Sequence, residues 1–305
     1  MSKNIKFFLI PLLISLPIFW GMDAFQGNLE KFFYAQISEP FNNLSGVKIP
    51  PKPEKPKLSL EAKSAISIEI MKSGREKILF KKNTEEILPL ASLTKLMTAL
   101  IILENPEDFD FSKTLIISKN AADQGDTPNF GNLKKGEKYT FKKLFELMLT
   151  YSSNDATYAI SEVIGVENFV NKMNQRAEEL GLPNTHFVNS TGLDPKNSLT
   201  DFNYSTAEDL AKLAQYILEN LPSIFEFSAQ SSNYSSIENG LSNLNLRTSQ
   251  ELIGGKTGFT KNAGGCILFV FRNENGNIFI NVILGTEKEA GRIKEMQKLI
   301  DWIRL

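Results

Sequence analysis

The sequence predicts a mixed α/β (α+β) domain: an antiparallel sheet closed by the two ends of the folded chain, flanked by helices, with a helical lobe inserted between its strands. Three observations predict it. Strand patterns lie early, at Ala65 to Ile70 and Lys77 to Phe80, and late, at Cys266 to Phe271 and Ile278 to Leu284. Segments with helical spacing fill the middle. The composition, 42% hydrophobic and 23% charged over 305 residues, can furnish a large core.

The elements follow in order. Lys3 and Lys6 precede Phe7 to Met22, an uncharged apolar stretch interrupted by Pro11 and Pro17. A basic flank before such a stretch reads as an export signal or membrane anchor, assigned to residues 1–24. Met22-Asp23-Ala24 is a poor cleavage site, so an uncleaved anchor is expected, with a cleaved signal as the alternative. Asp23 to Ala35 carries Phe25, Leu29, Phe32 and Phe33 near one helical face. The closely spaced prolines and charges from Ile49 to Lys57 make a stiff, solvated spacer, so residues 25–58 read as a stalk. The folded domain is assigned to 59–305.

Within it, Lys72-Ser73-Gly74 turns between the first two strands. A helix is predicted from Ser92 through the apolar run Leu96 to Leu103. Phe141 to Leu149, Ala156 to Ile164, Val166 to Leu180 and Ala207 to Leu218 are predicted helices, the last begun by Ser205 or Thr206 with Glu208 and Asp209 in its first turn. Phe141, Leu144, Phe145 and Met148 are core by spacing. Asn275-Gly276 signals a hairpin between the last two strands. Ile293, Met296, Leu299, Ile300 and Ile303 fit a final helix.

Composition excludes several classes. A net charge of −1 with no basic domain argues against nucleic acid as a partner. A single cysteine, Cys266, forbids an intrachain disulfide and reads as a small core residue among Ile267, Leu268 and Phe269. A single histidine, His186, reads as structural and makes both a zinc site and a Ser-His-Asp triad poor expectations.

Three distant segments hold the residue types one reaction needs. Ser92-Leu93-Thr94-Lys95 puts a hydroxyl and an amine on one helical face, one turn apart, so a hydroxyl can meet an amine base without histidine. Ser152-Ser153-Asn154 supplies a second hydroxyl and an amide at the end of an apolar helix. Lys256-Thr257-Gly258 supplies a cation, a hydroxyl and a bare backbone edge beside a strand. Singly each is weak; together, in this order, they form a set.

The set resembles that of class A β-lactamases and penicillin-binding proteins, and most closely the low-molecular-mass penicillin-binding proteins that act as D-alanyl-D-alanine carboxypeptidases. The resemblance runs from about Leu58 to the C-terminus. It includes Pro89 to Thr98, Ser153 to Ala156, Gly181-Leu182-Pro183-Asn184-Thr185-His186-Phe187, Thr191-Gly192-Leu193-Asp194 and Gly255 to Thr260. It implies a β-lactamase/transpeptidase-like fold. It also implies that Ser92 attacks the carbonyl between two terminal D-alanines of a peptidoglycan stem peptide. Lys95 would serve as base, Ser152 as proton relay, and Asn154, Lys256, Thr257 and Gly258 as substrate-binding residues. The Ser92 and Phe259 backbone N–H groups would form the oxyanion hole. Arg292 is either a further carboxylate-binding residue or a solvated charge on the last helix.

The resemblance implies no metal or organic cofactor, and β-lactam antibiotics as covalent inhibitors. Two positions depart from the family: Ser153 stands where glycine is common, and Phe259 where histidine is common. The family's C-terminal β domain and amphipathic anchor have no counterpart here, so membrane tethering is expected through the N-terminal segment, with the catalytic domain extracytoplasmic. A cleaved signal would instead leave it secreted or periplasmic. The rival readings are a D,D-endopeptidase, a β-lactamase and a non-catalytic penicillin-binding scaffold. The β-lactamase reading would need a deacylating carboxylate; Glu167 mimics one but lies in a predicted helix too close to Asn154.

Overall fold

The computed structural model describes residues 55–125, 132–195, 201–229 and 250–305. The predicted anchor, the predicted helix from Asp23 to Ala35 and the predicted stalk up to residue 54 lie outside these residues. Pro56–Leu305 forms a compact unit of its own.

In chain order, β1 (Ser64–Ile70) and β2 (Glu76–Lys82) precede the short β3 (Leu88–Pro89), a 3-10 turn (Ala91–Leu93) and α1 (Thr94–Glu104). Then come β4 (Thr114–Ile116), the one-turn α2 (Lys119–Ala122), β5 (Lys138–Thr140), α3 (Phe141–Thr150), α4 (Asn154–Ser161) and α5 (Val166–Glu179). β6 (Tyr204–Ser205), α6 (Ala207–Asn220) and α7 (Ser223–Ala229) are followed by β7 (Gln250–Thr260), β8 (Gly264–Asn273), β9 (Ile278–Thr286) and α8 (Gly291–Arg304).

The main sheet has the order β2-β1-β9-β8-β7, with every neighbour antiparallel. β1 pairs with β9 from Ser64↔Leu284 to Ile70↔Ile278, so the early hairpin and the late strands do close one sheet around the helical lobe. Asn275-Gly276 forms the predicted β8–β9 turn, where Gly276 takes φ +78° and its N–H donates to Asn273 O at 2.8 Å.

The unbroken apolar run of β8 is explained by burial on both faces. Cys266, Leu268 and Val270 join the core under the lobe, with Leu96, Leu100, Phe145 and Leu213. Ile267, Phe269 and Phe271 join a second core under α8, with Met296, Leu299 and Ile300. Each such side chain contributes roughly 1.5–3 kcal/mol on burial. Among the described residues β7 ends the sheet, and it carries the functional residues described below.

Boundaries differ from expectation where capping decides them. α4 starts at Asn154 rather than Ala156, because the Ser153 side chain accepts from Ala156 N at 3.1 Å, and it ends at Ser161. Of the two predicted starters of α6, Thr206 is the cap, accepting from Asp209 N at 3.0 Å. Ser92 lies on the 3-10 turn, one step before the α-helix proper. Lys256-Thr257-Gly258 lies within a strand of 11 residues rather than beside one; its glycines, with no side chains to pack, had masked the strand. Exposed His186 pairs its backbone with Tyr204 and tilts its ring beside that residue's, a structural placement. Among the described residues no helix is long and apolar enough to cross a membrane.

Candidate active site

The site lies where the 3-10 turn, the α3–α4 junction and β7 meet. Ala91 takes φ +47°, a left-handed conformation rare for a residue with a side chain, and delivers Ser92 to the turn. The first turn of α1 then brings Lys95 back under Ser92. Lys95 is fully buried, its Nζ 3.0 Å from Ser92 Oγ, 2.7 Å from Asn154 Oδ1 and 2.7 Å from Thr191 O. The two carbonyl oxygens accept only, so each needs an N–H. A neutral amine has two, and its remaining lone pair then points at the Ser92 hydroxyl. The geometry is that of a base, provided Lys95 is uncharged. Burial pushes its pKa well below the ordinary value, and the nearby Lys256 charge pushes it further.

Lys256, also buried, donates from Nζ to Ser152 Oγ at 2.9 Å and to Thr257 O at 3.0 Å. Burial first, and the charge of Arg292 second, lower its pKa to about 7. Ser152 is held at φ +60° between α3 and α4. Because it accepts from Lys256, its own O–H remains available to a ligand. Lys95 is thus bonded to Ser92 and Asn154, and Lys256 to Ser152.

Gly258 has a packing reason. A Cβ there would come within 2.9 Å of Ser92 N and 3.0 Å of Ala91 Cβ, so glycine lets β7 run against the 3-10 turn. This close approach sets the backbone of Gly258, the residue before Phe259, beside that of Ser92. The Phe259 side chain is 44% exposed. Thr257 is half-buried on the same strand.

Arg292 is 4% exposed, which excludes the solvated-charge reading. Its Nη1 donates to Gly258 O at 3.0 Å and its Nη2 pairs with Glu289 at 2.8 Å, while its Nε finds no acceptor among the described residues. Glu167 lies exposed in the first turn of α5. Among the described residues no cluster of three or more His, Cys, Asp or Glu could hold a metal ion.

Sequence reasoning passed over three contributors. The Thr191 carbonyl is a main-chain atom with no residue signature. Asp155, the residue after Asn154, accepts from the backbone N–H of Leu133 at 2.8 Å. Ser153 acts as a helix cap, which gives its departure from glycine a structural reason.

A family model described as D-alanyl-D-alanine carboxypeptidase matches residues 50–288. The chain is 35% identical over 256 residues to the D-alanyl-D-alanine carboxypeptidase DacF of Bacillus subtilis, covering 80% of this chain and 62% of that one. It therefore spans about three-fifths of that relative's length. It is 31% identical over 218 residues to a D-alanyl-D-alanine endopeptidase of Haemophilus influenzae, covering 68% of this chain and 70% of that one.

Among solved structures, penicillin-binding protein 5 of Haemophilus influenzae matches with a TM-score of 0.69 and 27% identity, over 81% of this chain and 72% of that one. The ampicillin-bound penicillin-binding protein D2 of Listeria monocytogenes matches with a TM-score of 0.68 and 27% identity, over 81% of this chain and 99% of that one. The sheet and lobe are those of the transpeptidase fold these proteins share. With its three motif segments gathered around one buried amine, the chain belongs to the D-alanyl-D-alanine carboxypeptidase family.

Proposed function

We propose that the protein is a serine D,D-carboxypeptidase that removes the terminal D-alanine from peptidoglycan stem pentapeptides through an acyl-enzyme. The observation that carries this is the contact of Lys95 Nζ with Ser92 Oγ at 3.0 Å, with both amine hydrogens assigned to carbonyls. Lys95 takes the proton as Ser92 Oγ bonds to the penultimate carbonyl carbon. The oxyanion is received by the N–H groups of Ser92 and Phe259, each such donor typically worth ~3 kcal/mol. Ser152 gives its proton to the departing amine and regains one from Lys95, which is thereby neutral again for the hydrolytic step, while Lys256, donating to Ser152 Oγ, stays cationic throughout. The C–N bond breaks, D-alanine leaves, and water later splits the ester. Asn154 orients the substrate amide. Lys256 and Thr257 face its terminal carboxylate, with Arg292 supporting them through Gly258.

A β-lactam presents the same acyl group in a ring, so penicillins would trap Ser92 as an ester; the Listeria relative's ampicillin complex supports this. The endopeptidase relative keeps a second reading open, cleavage of D-alanyl crosslinks by the same machinery. The basic-flanked apolar segment Phe7 to Met22 supports an N-terminal membrane tether with the domain extracytoplasmic. The test is twofold. Labelled penicillin should form an adduct that Ser92→Ala abolishes, and D-alanine should appear from a pentapeptide. An adduct with no release from pentapeptide or crosslinked muropeptide points to a scaffold and contradicts the proposal; release from the crosslink alone makes it an endopeptidase.

A further inference from the structure

The residues following Asn189 tie α1 to the end of β7, and the last of them has no part in the chemistry above. Ser190 O accepts from Thr98 Oγ1 at 2.7 Å, and Thr191 O accepts from Lys95 Nζ at 2.7 Å. Gly192, at φ +83°, lies so close to Ala91 that an added Cβ would sit 1.9 Å from its carbonyl oxygen. The segment is fixed from behind: Asn189 Oδ1 accepts from Gly192 N at 2.7 Å, and Asn203 Oδ1 accepts from Val188 N at 2.7 Å.

Asp194 then reaches to the other wall of the site. Its Oδ1 accepts from Thr260 Oγ1 at 2.9 Å and its Oδ2 from Asn262 N at 3.1 Å. Thr260 Oγ1 in turn accepts from Ala263 N at 3.1 Å. These partners form the turn directly after Phe259, where β7 passes into β8.

We infer that Asp194 is a positioning residue. Its carboxylate clamps the Thr260–Asn262 turn to the segment that bonds Lys95, and so fixes the Phe259 N–H relative to the Ser92 N–H. This rests on the reading of the site given above. Among the described residues β7 pairs on one side only, and the half-exposed Phe259 side chain gives its backbone little packing support. A carboxylate with two acceptors can hold both donors of that turn at once. Misplacing an oxyanion donor by about 1 Å costs on the order of 100-fold in rate.

The experiment uses the full chain and four variants: Asp194→Ala, Asp194→Asn, Thr260→Val and the Asp194→Ala/Thr260→Val double. Four quantities are read: acylation by fluorescent penicillin, kcat and KM for D-alanine release, and affinity for a peptide boronic acid. The boronic acid bonds to Ser92 Oγ and places a tetrahedral oxygen in the oxyanion pocket. Asp194→Ala is expected to lower acylation, kcat and boronate affinity together by about 10–100-fold, with KM changed by less than about threefold. The acid limb of the pH profile should stay in place, because the bonds of Lys95 are intact. Asp194→Asn and Thr260→Val should lose less, and the double variant should be no worse than Asp194→Ala.

The inference is overturned if Asp194→Ala acylates and binds the boronate within about threefold of the parent, or if the double variant loses the product of the two single losses. Should Asp194→Ala fail to fold, an unchanged boronate affinity in Thr260→Val overturns it equally, and a reduced one supports it. A parent protein that never acylates overturns the carboxypeptidase reading as well, which separates the two failures.

Discussion

Removing the charge of Arg292 is expected to raise the pH at which acylation fails on the alkaline side. Lys256 must be cationic to meet a carboxylate, and its pKa has fallen from 10.5 to about 7. That drop, 10.5 − 7, is about 3.5 pH units; burial is the larger cause and Arg292 the smaller, so the arginine accounts for less than half, under about 1.8 pH units. Arg292→Gln removes the charge and keeps an amide able to donate to Gly258 O. Its partner Glu289 is substantially exposed, so no buried charge is orphaned. The second-order rate constant for acylation by fluorescent penicillin reports the free enzyme's groups when followed against pH. Its alkaline limb should move up by roughly one pH unit in the variant. An unmoved limb with rates lowered equally at every pH would refute this reasoning, because it would mean that Arg292 acts on the ligand and not through the field at Lys256.

Other perturbations follow from the same contacts. Gly192→Ala should reduce acylation by at least about 100-fold, since its Cβ would displace the Ala91 carbonyl and with it Ser92; penicillin labelling checks this. Phe271→Ala, which opens the second core beneath α8, should cost about 3–5 kcal/mol in denaturant unfolding. Lys256 also predicts a pH dependence of stability. Its folded pKa is lower than its unfolded one, so the unfolded chain binds more protons between about pH 7 and 10.5, and stability rises with pH across that window. Relative to Lys256→Met, the wild type should gain about 1.4 kcal/mol per pH unit there and nothing below about pH 7, as read by urea unfolding at a series of pH values.

The chemistry was legible in the sequence because its side chains sit in short strings. Ser92 and Lys95 need only one helical turn to meet, and Lys256 needs only a strand. Both sheet-forming ends were legible because β8 is buried on two faces and β1 alternates. What was hidden lives in the backbone. The Thr191 carbonyl that orients Lys95 has no residue signature, and neither do the left-handed conformations of Ala91 and Ser152. β7 was obscured by Gly254, Gly255 and Gly258, whose value is close approach and not strand propensity. Arg292 offered no pattern to separate a buried cation from a surface one. Asp194 was visible within a motif, yet its partner Thr260 lies 66 residues away and only the fold unites them.

The central claim is that Lys95 is an uncharged amine at the pH of reaction. Lysine side-chain NMR with labelled Cε and Nζ, assigned with Lys95→Met and Lys256→Met, tests it directly. A Lys95 resonance that titrates well below 10.5 and apart from the surface lysines is expected. A Lys95 that stays protonated and titrates near 10.5 with the surface lysines would contradict it.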